Sequence, residues 1–486
     1  MAGRISLRVV FVALITLSVL AVGFGYASSA TESTFESNLD GDSVVDPSAQ
    51  IAPESDGITV VATDSNSWRG ESADGPRARA ELVAFNPNGS TLYYNDTHTR
   101  YWDVDPVEGT DATVEYLYAD HLEPDECPDE WDASELGVDQ ETLDTYVEAH
   151  SGVNACTENG IERVNLTTGE TETVYSAETP GKHSSRWHDG DRINETHYAV
   201  ADILFDRMFV VNTETEEITW TWNASDEYDT EEDGGPYAED WTHMNDVEVL
   251  EDGRFMLSPR NLDRVIFVEP GEGVQEDWTL GEEDNYDTLN EQHNPDYIPE
   301  EEGGPAVIIG DSENNRVIEY QREDGEWEQS WTWRDARMQW PRDADRLPNG
   351  NTLISDSNGN RVFEVNQQGK IVWSVNIAFP YESERLGTGD ESAGGPSAQS
   401  ADIGSRDPSI DEQFWIGLKN EIPGKYLNGL MYITPPWMGI PELFAILVGA
   451  VGLVGLVGVE VAGFVSRRRS GSTTDGSSTT TTRDND

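Results

Sequence analysis

Residues 240–268 read DWTHMNDVEVLEDGRFMLSPRNLDRVIFV. A head residue, His243, stands three positions before Asp246. An apolar run follows, then the turn Glu251-Asp252-Gly253, a second run, a polar turn around Arg260 to Asp263, and a third run. Short β-branched and aromatic runs between such turns read as strands of a meander.

The pattern recurs. Units begin near 187 (WHDGDRINETHYAVADILFDRMFVV), 242, 292 (QHNPDYIP…AVIIGDSENNRVIEY) and 341 (PRDADRLPNGNTLISDSNGNRVFEV). Each has a head followed by x-x-Asp: His188/Asp191, His243/Asp246, His293/Asp296 and Arg342/Asp345, with heads 55, 50 and 49 residues apart. Each closes on a Trp-bearing segment, at Trp222, Trp278, Trp333 and Trp373. Two worn copies precede them. Residues 57–95 match the last three strands of a unit; residues 101–120 with 160–176 match a whole unit carrying an insertion over 121–159. A repeat of about 40 to 50 residues with four strands is one propeller blade. The expectation is an all-β chain, a six-bladed β-propeller over 57–380, whose closure hides strand edges.

In that architecture the x-x-Asp head opens the innermost strand. His188, His243, His293 and Arg342 then ring one mouth of the central channel. The Asp set reads as structural, an Asx-type turn or a blade-to-blade hydrogen bond. The histidines read as functional, although repeat-equivalent polar residues also cap turns at a channel rim. Three chemistries fit them: a His₃ metal site, disfavoured by the arginines nearby; an anion site with Arg260 and Arg342; or nucleophilic transfer from an imidazole.

The ends read differently. Residues 1–30 form a signal peptide or an N-terminal transmembrane anchor, 31–56 an acidic linker, 381–440 a linker and juxtamembrane segment, 441–465 a transmembrane helix and 466–486 a low-complexity tail. The run SRRR at 466–469 keeps that tail cytoplasmic by the positive-inside rule and puts the propeller on the extracellular face. Cys127 and Cys156 are the sole cysteines, and an exterior location predicts a disulfide between them. Five N-x-S/T sequons, at Asn88, Asn95, Asn165, Asn194 and Asn223, allow glycosylation.

The charge is −64, from 94 acidic and 30 basic residues, with only four lysines. The carboxylates are interleaved with 15 Trp, 17 Tyr and 13 Phe, unlike a disordered acidic chain. They make an acidic coat of the halophilic kind, tolerable where salt screens self-repulsion. Nucleic acid is excluded as a partner, because nothing basic is left to neutralise phosphates.

The stretch WTHMNDVEVLEDGRFMLSPRNLDRVIFV resembles the arylsulfate sulfotransferase (ASST) family of six-bladed propellers. The matching residues are His243 and Asn245, then Arg260 in SPRN, His293 in QHNPD, and His188 in WHDGD. The resemblance covers about 57–376, and similar chains occur as membrane-anchored proteins in haloarchaea. It implies ping-pong transfer of a sulfuryl group from an aryl sulfate donor to a phenolic acceptor through a sulfohistidine, with no cofactor, no metal and no nucleotide sulfate. His293 would be the nucleophile. His188, His243 and Arg260 would hold the sulfuryl oxygens or move the phenolic proton, with Asn245 orienting them. Arg342, at a head position outside the family's pattern, joins Asn245 as a substrate-binding residue. Departures are the Ser-Pro-Arg-Asn turn, where Pro259 stands in place of the usual second small polar residue and leaves the aim of Arg260 open, and the lack of room for the extra N-terminal β-sandwich of the bacterial enzymes. The other reading is a non-catalytic cell-surface propeller that binds an anion, a glycan or a protein at this mouth.

Overall fold

The computed structural model describes residues 6–29, 34–41, 43–64, 80–150, 155–182, 185–231 and 234–471. Ser33–Pro436 form one compact unit; Met1–Glu32 and Trp437–Asp486 form another. Most of the tail expected over 466–486 lies outside the described residues.

The larger unit is a six-bladed β-propeller. Six antiparallel sheets each run from an inner to an outer strand. Blade two is Arg100–Pro106, Thr113–Leu122, Cys156–Asn165 and Glu170–Pro180. The inner strands of blades three to six are Trp187–Asp189, Met244–Val249, His293–Ile298 and Pro341–Arg346. Blade one is built from both ends of the unit: Pro380–Arg385 supplies its inner strand, beside Thr59–Thr63, Glu81–Phe85 and Thr91–Asn95. Thr59 pairs with Arg385 and Val60 with Glu384. The sequence placed 381 at the start of a linker, but Tyr381 to Arg385 belong to the sheet that closes the ring. Nothing local in PYESER marks it as a strand, because its pairing partner lies some 320 residues away.

The tryptophans hold neighbouring blades together. Trp222 of blade three packs with Val247 and Leu257 of blade four. Trp333 of blade five packs with Ile354 and Phe363 of blade six. Trp373 of blade six packs with Val61 and Val83 of blade one. Blade four departs from the pattern: its outer strand is two fragments, Gly273–Val274 and Leu280–Gly281, and Trp278 sits in a short 3-10 turn between them, against Phe267 and Trp327.

The acidic stretch before the propeller also packs on it. Phe35 is buried against Phe85 and Tyr94, and the Trp373 indole donates to the Pro53 carbonyl at 3.0 Å. The insertion carries the Cys127–Cys156 disulfide and a helix, Gln140–His150. Leu143 and Tyr146 of that helix pack on Leu204 and Phe205 of blade three, and the Tyr146 hydroxyl donates to Asp206 at 2.9 Å. The sequons Asn88, Asn95, Asn165 and Asn194 use their side-chain oxygens to accept backbone N–H groups two residues on, the Asx turn that N-x-S/T shares with a glycosylation signal.

After the last strand, helices Ile410–Asn420 and Gly424–Tyr432 dock on the propeller. Asn428 donates to Glu313 at 2.9 Å, its backbone carbonyl accepts from Asn358 at 3.2 Å, and Lys419 donates to the Met338 carbonyl at 2.5 Å.

The smaller unit holds two helices, Leu7–Ser29 and Ile440–Gly471, each long and apolar enough to cross a membrane. They pack together where the second is small: a Cβ on Gly452 or Gly455 would meet Ile15 or Phe11 within 3.1 Å. Such small-residue stripes let apolar helices approach closely. Glu460, an acidic residue in an apolar run, pairs with Arg8 at 2.8 Å. The two helices suggest membrane association.

Candidate active site

The repeat register brings one head per blade to the same mouth of the channel. The four heads read from sequence, His188, His243, His293 and Arg342, are joined there by Trp102 of blade two and Tyr381 of blade one. Both occupy the head position, three residues before Asp105 and Glu384. Sequence reading passed over them because an aromatic in an aromatic strand reads as core. The signal was present: Trp-x-x-Asp and Tyr-x-x-Glu keep the head-x-x-acid spacing.

The six heads interlock. His188 stacks on Trp102, with centroids 4.5 Å apart and planes 27° from parallel. The His188 and His243 rings meet edge to face at 5.4 Å. His188 Nδ1 is 2.9 Å from the Tyr381 hydroxyl, and Tyr381 also meets His293 edge-on at 6.2 Å. The Arg342 guanidinium lies over Trp340 at 4.4 Å and Tyr381 at 4.5 Å. Such aromatic faces hold a cation in place. Backbone bulges at the heads aim these side chains: Asp103, His243 and Asn294 have φ of 44°, 48° and 34°.

Each histidine has its own second contact. His243 Nδ1 lies 2.6 Å from Asp240. His293 Nδ1 lies 2.8 Å from Ser312 Oγ, which itself donates to the Pro341 carbonyl at 2.7 Å. The Nε2 atoms of His188 and His293 are buried without a partner. All three rings titrate below the usual imidazole range. Burial is the main cause throughout. Arg186 adds to it at His188, Arg342 at His293, and Arg260 at His243, which falls to about 4 although Asp240 opposes the shift. The imidazoles are therefore neutral near pH 7.

Arg260 is beside the ring, but turned toward its own neighbours. Its guanidinium donates to Asn261 Oδ1 at 2.9 and 3.0 Å and stands 3.9 Å from Asp240 and 3.8 Å from Glu291. Pro259 ends the preceding strand and a 3-10 turn opens at Arg260. Asn245 does not touch the imidazoles through a hydrogen bond. Its amide donates to the Gln292 carbonyl at 2.9 Å and so fixes the residue before His293.

Sequence reading also missed Arg186 and the pair Arg100–Asp64. Arg186 lies over Trp102 at 5.1 Å, and burial, then Arg100, bring it down to about 10. Asp64 accepts from Arg100 Nε at 2.7 Å and lies 3.5 Å from Arg342. Among the described residues around this mouth, four buried N–H donors lack a partner: Trp102 Nε1, Trp340 Nε1, Arg186 Nε and Arg342 Nε. Unpaired buried donors are costly, and cationic ones beside neutral imidazoles suit a bound anion better than a metal.

The x-x-Asp residues act less uniformly than expected. Asp191 does accept across blades, from the Val249 N–H at 2.5 Å. Most of that work falls to the acid directly after the head: Asp103 accepts from Gly190 at 2.9 Å, Asp189 from Val247 at 2.5 Å, Asp343 from Ser383 at 3.0 Å, and Glu382 from Val104 at 2.7 Å.

Residues 129–378 match the family described as Arylsulfotransferase (ASST). No curated protein matches the chain. Among solved structures, a protein of unknown function from Bacteroides caccae is 8% identical, with 68% of this chain and 100% of that one covered and a TM-score of 0.42. The periplasmic gluconolactonase PpgL of Pseudomonas aeruginosa is 10% identical, with 68% and 99% covered and a TM-score of 0.40. An inactive virginiamycin B lyase of Staphylococcus aureus is 7% identical, with 66% and 85% covered and a TM-score of 0.35.

Proposed function

The chain belongs to the arylsulfotransferase family, and on that premise we propose that it passes a sulfuryl group from a phenolic sulfate ester to a phenol through a sulfohistidine at His293. The tautomer of His293 carries this reading. Two carbonyls, of Pro341 at 2.7 Å and Gly310 at 3.2 Å, compete for the one hydroxyl proton of Ser312, which favours Ser312 as acceptor toward His293 Nδ1. Nδ1 therefore bears the imidazole proton, and Nε2 keeps its lone pair. That atom is buried, unpartnered and held neutral, which is the form a nucleophile needs.

Nε2 attacks sulfur, and the sulfur–oxygen bond to the ring breaks with its electron pair on the phenolic oxygen. The products are an N-sulfo-imidazolium and a phenoxide. The acceptor phenol then attacks sulfur, and the N–S pair returns to Nε2. The first phenoxide departs as the anion and takes its proton from water; the acceptor phenol then gives its proton to the free Nε2 of neutral His243, whose Nδ1 is committed to Asp240, and the imidazolium returns that proton to water. With Tyr381 donating to its Nδ1, His188 turns an Nε2–H toward a sulfuryl oxygen. Arg342, Arg186 and Arg260 stabilise the charge that builds on the oxygens. Positioning and charge stabilisation are the main demands of such transfer. Asn245 acts at one remove, by holding the strand start that bears His293.

The protein works from a membrane, with the propeller outside and the Arg-rich end of the second helix inside. Its acidic coat suits high salt.

The test is intact mass after incubation with a chromogenic aryl sulfate, across several salt concentrations. An adduct of the mass of SO₃ mapping to His293, absent in His293→Ala, supports the reading. Saturable binding with no adduct and no phenol release overturns it in favour of a non-catalytic anion-binding propeller.

A further inference from the structure

Further along the inner strands the channel changes sign. The position three after each head is a carboxylate in all six blades: Asp105, Asp191, Asp246, Asp296, Asp345 and Glu384. Elsewhere this protein buries acids beside arginine, as in Asp202–Arg207 at 2.9 Å, Glu319–Arg346 at 2.7 Å and Asp356–Arg361 at 2.8 Å. In the channel it does not. Among the described residues Asp296, Asp343, Asp345 and Glu391 have no ion pair, yet one oxygen from each lies within 4.8 Å of the others.

These side chains are also short of hydrogen bonds. Asp345 is 1% exposed and meets no N–H or hydroxyl donor at either oxygen, only the neighbouring Asp343 carboxyl; Asp343 is fully buried and meets no such donor at Oδ1. The remaining contacts fix the groups without neutralising them. Asp343 Oδ2 accepts from the Ser383 N–H at 3.0 Å, and Asp296 Oδ2 from the Ser392 hydroxyl at 2.6 Å. Glu391 arrives on the loop after the closing strand. It takes a left-handed φ of 49°, and its N–H donates to Glu384 at 3.0 Å. Carboxylates this close and this dry repel one another strongly, so they either hold protons or close around something positive.

We propose that Asp296, Asp343, Asp345 and Glu391 form a calcium site inside the channel, and that the ion ties the loop of residues 386–395 to the inner strands of blades five and six. The donors are all hard carboxylate oxygens, with no nitrogen or sulfur. Oxygens around calcium, each about 2.4 Å from the ion, stand up to about 4.8 Å apart, and six to eight of them are accepted in flexible geometry. Magnesium requires a tighter octahedron. Glu391 also belongs to a neighbouring set with Asp103, Asp105 and Glu382, which places it at the centre of the acidic chamber. This site is separate from the imidazole ring and does not depend on sulfuryl transfer.

The experiment uses the full chain in detergent, stripped with EGTA, in a fixed high concentration of KCl that saturates the acidic coat. Calorimetry and thermal unfolding follow the return of CaCl₂ or MgCl₂. Saturable, stoichiometric calcium uptake with a rise in Tm is expected, and weaker uptake of magnesium. Glu391→Gln, on the loop, loses affinity by at least about tenfold and loses the calcium-dependent rise; Asp345→Asn does the same. The proposal is overturned if uptake in the parent does not exceed that of Glu391→Gln. It is equally overturned if Asp345→Asn raises Tm by the same amount in EGTA and in calcium, the outcome for carboxylates that merely share protons. Loss of uptake in Asp105→Asn but not in Asp345→Asn assigns the ion to the neighbouring set and also rejects the site named here.

Discussion

His243 Nδ1 and Asp240 are 2.6 Å apart, a charge-assisted contact that the other two imidazoles of the ring lack. Asp240 raises the affinity of His243 for a proton, while burial and Arg260 lower it further, to about 4. Removing the carboxylate leaves only the lowering influences. In Asp240→Asn the pKa of His243 falls, and transfer to weakly acidic phenols slows by about ten- to a hundredfold, whereas transfer to strongly acidic phenols is little changed. Rates against acceptor acidity check this; equal loss for all acceptors would remove His243 from proton transfer.

The buried histidines also couple stability to pH. Their folded pKa values lie below the unfolded value of about 6.5. The folded state therefore binds fewer protons, and the stabilisation is complete above pH 6.5 and lost as pH falls toward the folded values. Acid unfolding of the parent is expected to have a component in that window that is smaller in His188→Gln, where His243 and His293 still contribute. Denaturation midpoints between pH 4 and pH 7, at constant salt, read it.

Ser312→Ala frees His293 Nδ1 to lose its proton preference. The Pro341 carbonyl also loses its donor. One hydrogen bond of this kind contributes about 1 kcal/mol, so adduct formation is expected to slow by about tenfold without disappearing. Single-turnover kinetics with His293→Ala as the zero reference distinguish the two variants.

Arg342→Lys keeps the charge and loses the flat guanidinium held between Trp340 and Tyr381. Lysine is a point charge on a flexible stem. The expected result is a normal fold with kcat/KM for the aryl sulfate reduced by at least about tenfold. Parent-like kinetics would show that the stack is structural only.

The helix Gly424–Tyr432 packs beside the residues that hold Arg342. Asn428 binds it to Glu313, Gln339 and Asn358, and Tyr432 meets Phe379, whose ring lies under Arg342 at 5.2 Å. Asn428→Ala loosens this helix, and with Nε2 of His188 and His293 buried it is expected to raise kcat/KM for bulky donors. Stopped-flow binding of a chromogenic donor gives the comparison; an unchanged on-rate rules out control of entry by this helix.

Much of this was legible in the residues. The spacing of His188, His243, His293 and Arg342 gave four blades, the worn copies at 57–95 and 101–176 completed the count, and the heads come to one mouth because equivalent positions of a closed ring of like units must converge. Trp102 and Tyr381 were harder to read. They keep the same spacing to an acid, yet an aromatic at a strand start has an adequate explanation as core, and in Tyr381 the strand itself had no local signature. Ser312, Asp240 and Arg186 had no readable pattern at all. They reach the ring from a strand end, a loop and a turn whose paths depend on packing.

The sequence by itself determined the repeat, and with it the propeller, the converging heads and the file of acids behind them, since period and alternation are properties of the chain alone. Only the tertiary structure decided which blade Pro380–Arg385 completes, which hydroxyl stands against His293 Nδ1, and which carboxylates are left without an ion pair. Those outcomes depend on neighbours brought together by closure. A hydrogen bond, a tautomer or a repulsion is set by distances of a few ångströms between groups hundreds of residues apart, and no local spacing encodes them.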